Sequence, residues 1–289
     1  MKHHKHASHG RIVTTLFLAS YGITLVVAGL LYVFLSRSAL NRTQQDLATI
    51  AERTANRISV IAHEQLKVPE DQDSDSYRSV EQFVQSVMSG NPKIDDVYTL
   101  RPTDTPHLMT FVVSGKPTYD YDHDGIIDEN EMKAMLGEEY DTEGQPDLEQ
   151  GLIAPTYDRA ITHDKWGSWL SGYAPLKDLQ GKTVALVGVD YSAKVISNEM
   201  MGLLGAIIWV MVGAIPLYAG ITWLLVKAIR HPYRKLAEAM DHVSSGNVDY
   251  EMPVPKHGEG RILAEFFNAM KRELLAVAKG RHTEKDGRE

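Results

Sequence analysis

Two uncharged apolar blocks constrain this chain more than any other feature. The first runs from Ile12 to Leu35 and the second from Met200 to Val226, and neither contains Asp, Glu, Lys or Arg. Each exceeds the roughly 20 apolar residues that a helix needs to cross about 30 Å of hydrocarbon. A core helix of that length would carry a polar stripe, and neither block does. Both are read as transmembrane helices, at 12–36 and 200–227. The first is too long for the apolar region of a signal peptide and is taken as an uncleaved anchor.

Flanking charge sets the orientation. Lys2, Lys5 and Arg11 precede the first block; Lys227, Arg230, Arg234 and Lys235 follow the second. Between the blocks, residues 37–199 carry 28 acidic and 15 basic side chains. Both termini are therefore expected in the cytoplasm, with the acidic middle outside. A net charge of −8 argues against nucleic acid as a partner. The absence of cysteine excludes disulfides, thiolate metal sites and a cysteine nucleophile.

The middle segment is the size of one domain. A polar helix over about 38–67 is expected to continue from the first span. Leu40, Leu47, Ile50, Ile58 and Ile61 mark one face of it, broken by Thr54. That stripe fits either packing on the domain's own sheet or the seam of a parallel dimer. An acidic loop at 68–76 and a helix at 77–88 come next. Four strand-like runs then follow, at 96–100, 107–114, 167–175 and 183–191, with 176–182 as a hairpin loop. The fold class is α+β, with a long N-terminal helix on an antiparallel sheet.

Residues 120–131 read DYDHDGIIDENE. Oxygen donors fall at loop positions 1, 3, 5, 9 and 12, namely Asp120, Asp122, Asp124, Asp128 and Glu131. Gly125 holds position 6, and Ile126 at position 7 would offer its backbone carbonyl. This is the EF-hand calcium pattern, and calcium is the expected cofactor. Ile127 at position 8 is expected to anchor the loop in a core. Val112, Val113 and Pro117 predict a strand and turn in place of an entering helix. An exiting helix is expected over 128–135, ended by Gly137.

Four strings carry a family resemblance: VYTLRP at 97–102, TFVVSG at 110–115, WGSWLSGYAPLKD at 166–178 and ALVGVDYSA at 185–193. They resemble the PAS-like extracytoplasmic sensor domains of the Cache class. The resemblance implies a bacterial inner-membrane receptor that binds a small molecule on one face of a five-stranded sheet. The ligand class would be an amino acid, an amine or an organic acid. Tyr98, Arg101, Trp166, Trp169, Tyr173 and Asp190 are the candidate pocket residues. Arg101 would grip a carboxylate. Asp190 would meet an amine, as the family's equivalent aspartate often does.

Residues 228–279 resemble a HAMP domain, a parallel four-helix bundle formed by a dimer. The matching residues are Pro232, Gly246, Glu259 and the run Phe267-Asn268-Ala269-Met270; Arg261 departs from the family's usual glycine. Helices are expected over about 233–244 and 261–277. One has an apolar face of Leu236, Met240 and Val243; the other carries Leu263, Phe266 or Phe267, Met270 and Leu274. Neither helix buries its face alone, so a homodimer is implied.

The charged tail at 280–289 is too short to fold. His3, His4, His6 and His9, within the basic tail 1–11, are read as mobile and not as metal ligands. The expected function is a transmembrane sensor whose output comes from a separate cytoplasmic protein. Alternatively, the chain is the sensor half of a histidine kinase or nucleotide cyclase, or a calcium-dependent scaffold at the bilayer. His107 and His163 are candidate bases, but no catalytic constellation surrounds them, and an enzyme is not expected.

Overall fold

The computed structural model describes residues 4–286, with side chains described from 13 to 277. The N-terminal histidines lie outside those side chains. The helices are α1 (His4–Ala55), α2 (Val60–Gln65), α3 (Asp75–Gly90), α4 (Pro146–Gln150), α5 (Ala193–Ser244) and α6 (Glu259–Asp286). The strands are β1 (Ile94–Pro102), β2 (Leu108–Ser114), β3 (Glu139–Asp141), β4 (Thr156–Tyr157), β5 (Thr162–Asp164), β6 (Gly167–Lys177) and β7 (Thr183–Ser192). Residues 29–208 form one compact unit; residues 1–28 and 209–289 form a second.

The first unit is an antiparallel sheet in the order β3-β2-β1-β7-β6-β4, with β5 also paired to β6. Strand alternation sorts its two faces. On β7, Ala185, Val187, Val189 and Tyr191 turn to the helices, and Leu186 turns to the other side. On β1, Val97 faces the helices, while Tyr98 and Leu100 face away. The helix-side core joins these residues to Leu47, Ala51 and Ala55 of α1 and to Tyr77, Val80 and Val84 of α3. The stripe on α1 thus packs on the domain's own sheet. Burying a Leu such as Leu47 is worth about 1.5–3 kcal/mol, and the side chain is fully buried.

Gly172 on β6 sets the closeness of that packing. A Cβ there would stand 2.3 Å from the Leu47 carbonyl carbon and 2.5 Å from the Ala48 nitrogen. Those are backbone atoms, which cannot rotate aside.

The expected helix over 38–67 is in fact two. α1 ends at Ala55, and Ser59 caps α2 by accepting from the Ala62 N–H at 3.4 Å. The break turns Ile61 out to solvent, off the predicted stripe. Three strands unassigned from sequence bring the sheet to seven, where five were expected: β3 pairs with the edge of β2, and β4 and β5 both pair with β6. The helix predicted over 128–135 is only a 3₁₀ turn, Glu129–Glu131. Ile127 is 44% exposed and does not anchor the loop.

In the second unit, α1 and α5 each include a stretch long and apolar enough to cross a membrane. The Tyr21 hydroxyl donates to the Met211 carbonyl at 2.9 Å, and the Thr24 and Tyr218 hydroxyls lie 2.5 Å apart. Farther along, Gly260 lies against Pro232, and Ala239, Met252, Ala264 and Phe267 share one core. The ends of α5 and α6 therefore run in the same direction. The Asn268 amide holds the connector, accepting from the Met252 N–H at 2.9 Å and donating to its carbonyl at 2.8 Å. Phe267, not Phe266, is the inward residue; Phe266, Met240, Met270 and Leu274 are exposed. The α6 backbone stays helical to Asp286, past the predicted end at 277 and into the segment expected to remain unfolded.

Gly172→Ala is expected to destabilise the chain by about 1–3 kcal/mol through overpacking. Thermal unfolding of the full chain checks this, with Gly90→Ala, whose surroundings are open and whose backbone is helical, as the comparison.

Candidate functional site

Alternation places a second set of β1 and β7 residues on the face away from the helices. Asp96 on β1 stands directly opposite Asp190 on β7, and Tyr98 opposite Gly188. Gly188 is needed there, because a Cβ would fall 2.3 Å from the Tyr98 ring. Around these lie Asp95, Phe111, Ser114, Lys116, Met132, Ala134, Tyr140, Asp164, Trp166 and Trp169, which line one cavity. Its volume is about 30 Å³, above the roughly 10–15 Å³ that one ordered water needs.

The two central acids differ. Asp96 accepts from the N–H groups of Val97, Gly115 and Lys116 at 2.7–3.0 Å, and from the Ser114 hydroxyl at 2.8 Å. Burial nevertheless raises its pKa above the ordinary carboxylate value. For Asp190, burial raises it much further, and Asp96, Asp164 and Asp158 add repulsion. Asp190 Oδ1 has no hydrogen-bond partner. Asp190 is thus the acid whose charge burial disfavours most, and a cation would offset that cost.

The cavity holds four carboxylates against one cation, Lys116. Its ammonium reaches Asp95 Oδ2 at 2.5 Å and lies over the rings of Tyr121 and Trp169, about 5 Å from each centroid. Asp164 Oδ1 accepts from the Trp166 and Gly167 N–H groups and from Trp169 Nε1, at 2.9–3.0 Å. Phe111 sits edge-on to Tyr140 and Trp166.

Of the predicted pocket residues, Tyr98, Trp166, Trp169 and Asp190 converge on this cavity. Tyr173 lies beneath it, 1% exposed, and its hydroxyl donates to Asp158 Oδ1 at 3.0 Å. Arg101 is a correction. Three residues from Tyr98 on β1, it falls on the helix face and donates to the carbonyls of Leu66 and His63 at 2.7 and 3.2 Å. It holds the end of α2 and does not line the cavity. Sequence reasoning missed Asp96 and Lys116, although Asp96 lies two residues from Tyr98 and so on its face. His107 and His163 are both exposed surface groups, paired with Glu149 and Ser168 respectively.

Two buried groups support the site from outside the cavity. His63, in contact with Thr99 at 3.0 Å, is pushed down to about 3 by burial and by Arg101, and stays neutral. Asp158, 2% exposed, accepts from the Ser171 N–H and from the hydroxyls of Tyr173 and Thr162. Burial raises its pKa to about 6.

The acidic loop borders the cavity. Oxygens of Asp120, Asp122 and Asp124 lie within 4.8 Å of one another. Gly125 turns at φ +88°, and its N–H donates to Asp120 Oδ2 at 2.9 Å. The other oxygen of Asp120 is buried without a partner. Glu131, 5% exposed, stands outside the aspartate group. Its carboxylate accepts from the N–H groups of Tyr121, Asp122 and Asp128 at 2.6–3.2 Å. Ile126 at the turn is exposed. As predicted, no helix enters this loop; β2 ends at Ser114.

No family model and no curated relative matches the chain. Among solved structures, it is similar to the ligand-binding domain of the Campylobacter jejuni chemoreceptor Tlp3 in complex with L-valine. The identity there is 11% and the TM-score 0.39, over 65% of this chain and 66% of that one. The sensor domain of the V. cholerae histidine kinase DctB matches at 10% identity and a TM-score of 0.36, over 66% and 60%. The ligand-binding domain of the Pseudomonas aeruginosa amino acid chemoreceptor PctC in complex with GABA matches at 17% and 0.27, over 55% and 68%. The chain thus spans just under two thirds of the first of these.

Asp158 predicts a pH effect. The native state keeps a proton that the unfolded chain releases near 3.8, so its stabilisation is present at acid pH and fades as pH rises to about 6. Asp158→Asn lacks that loss. The melting temperature of wild type relative to Asp158→Asn is expected to fall across this window and stay flat above it.

Proposed function

We propose that this chain is a two-span membrane sensor. Residues 37–199 face outside the cytoplasm and bind a small molecule that carries an ammonium group. The observation that carries this reading is the Asp96–Asp190 pair inside an aromatic cavity with one lysine. Like charges directly across two strands repel, and an ammonium would satisfy the unpartnered Asp190 oxygen. An amine or amino acid fits this wall; the removal of Arg101 from the cavity disfavours a plain organic acid. The aromatic rings would cover the apolar body of the ligand. None of these groups forms a nucleophile and base, and the role is binding, not catalysis.

The loop at 120–131 supports calcium as a structural cofactor. Asp120, Asp122, Asp124 and Asp128 would hold it, with the Ile126 carbonyl and Glu131. Calcium prefers six to eight oxygens and would take up the unpartnered Asp120 oxygen. The α5–α6 segment supports a HAMP-like relay. Phe266, Met270 and Leu274 leave an exposed apolar face on α6 that a second copy of the chain would cover. Signal would pass from β7 directly into α5, since Ser192 is followed by Ala193 without a loop. The bilayer and a homodimer are thus part of this reading, as is output through a separate cytoplasmic protein. Fusion to a kinase or cyclase as one longer receptor is the other form of the same relay.

The test is thermal unfolding of the full chain in lipid nanodiscs against amines, amino acids and organic acids. An ammonium ligand at about 100-fold excess over its Kd should stabilise the domain by about 2.7 kcal/mol. Asp190→Asn should abolish that gain. Stabilisation by simple carboxylic acids alone, or an amine response intact in Asp190→Asn, would contradict the assignment.

A further inference from the structure

The cavity is small and partly open in this form, and its most adjustable wall is the segment that carries the calcium loop. β1, β2, β6 and β7 are laddered together and give little. The excursion between β2 and β3 is joined to the rest of the domain mainly through side chains, such as Lys133 with Glu81 and Lys165 with Glu129 and Glu138. Its incoming end supplies Lys116 to the cavity, and its outgoing end supplies Met132 and Ala134.

Glu131 is the hinge point. It lies outside the aspartate group, occupied by three backbone N–H donors. A calcium ion seated among Asp120, Asp122 and Asp124 would draw it inward to complete the oxygen shell. The next residue is Met132, whose carbonyl accepts from Trp166 Nε1 at 2.9 Å. Trp166 in turn donates its backbone N–H to Asp164, which also holds Trp169. A shift of Glu131 is therefore transmitted in one covalent step and two hydrogen bonds to three residues of the cavity wall.

We infer that calcium regulates the ligand cavity, with the Met132–Trp166 hydrogen bond as the link. The inference rests on the calcium reading given above. Calcium fixes the wall in its binding form, so a ligand no longer bears the cost of ordering it, and by linkage the ligand tightens calcium equally. Lys116 ties the incoming end to the same wall, through Tyr121 of the loop and Trp169 of β6.

Amide hydrogen exchange of the full chain in nanodiscs, with calcium alone against a chelated control, tests this without a known ligand. The expected result is protection over 118–132 together with altered exchange over 164–170. In Trp166→Phe, which keeps an aromatic ring but loses the N–H donor, protection of 118–132 should remain and the effect at 164–170 should disappear. Protection confined to 118–132 in the wild type would overturn the coupling and leave the calcium site standing. Persistence of the remote effect in Trp166→Phe would overturn the hydrogen bond as its carrier. No protection at either place would overturn the calcium reading and the coupling together. The wild-type comparison decides the coupling even if the variant folds poorly.

Discussion

Two carboxylates held face to face across the central strands govern this domain. Asp96 and Asp190 share a cross-strand position on a face where water is scarce. The sequence resolves the repulsion unequally. Asp96 receives three backbone N–H groups and a hydroxyl, whereas Asp190 is left with an oxygen that nothing meets. An unsatisfied buried polar atom costs roughly 1–3 kcal/mol, and that debt is what a cationic ligand would settle. The position of Asp190 gives the settlement a consequence, because β7 continues straight into α5.

The opposite face of the same strands has the reverse character. Val97, Val187 and Val189 present a continuous apolar surface to α1 and α3, and Gly172 lets α1 lie directly on the sheet. A long helix that packs on the sheet and a strand that becomes a helix give the domain two stiff handles. Both handles contain a stretch suited to a membrane.

Much of this was legible in the sequence. The apolar blocks, the α+β class and the four main strands follow from period and length, which depend little on tertiary context. Tyr98, Trp166, Trp169 and Asp190 fall around one cavity, a grouping readable from aromatic residues and a terminal acid on a strand face. Arg101 was misplaced for a reason the alternation already contains: an odd step from Tyr98 crosses the sheet. Tyr173 was drawn beneath the cavity by Asp158, a partner 15 residues away in a short connecting segment with no strand pattern. The separate helix α2 depends on its Ser59 cap, and the shortness of the helix at Glu129–Glu131 goes with contacts to the turn after β5 and to α3, none of which has a periodic signature. Lys133, for example, pairs with Glu81 of α3, and that pull favours an extended chain over another helical turn.

Every part of this account, including the supply of calcium and ligand, requires residues 37–199 to lie outside the cytoplasm. Because the chain has no cysteine, single introduced thiols report sidedness without interference. Asp104→Cys and Ala237→Cys place a thiol at exposed positions in the two units. In intact cells, a membrane-impermeant maleimide should label Asp104→Cys, and should reach Ala237→Cys only after the membrane is opened. Labelling of Ala237→Cys in intact cells, with Asp104→Cys protected, would contradict the account.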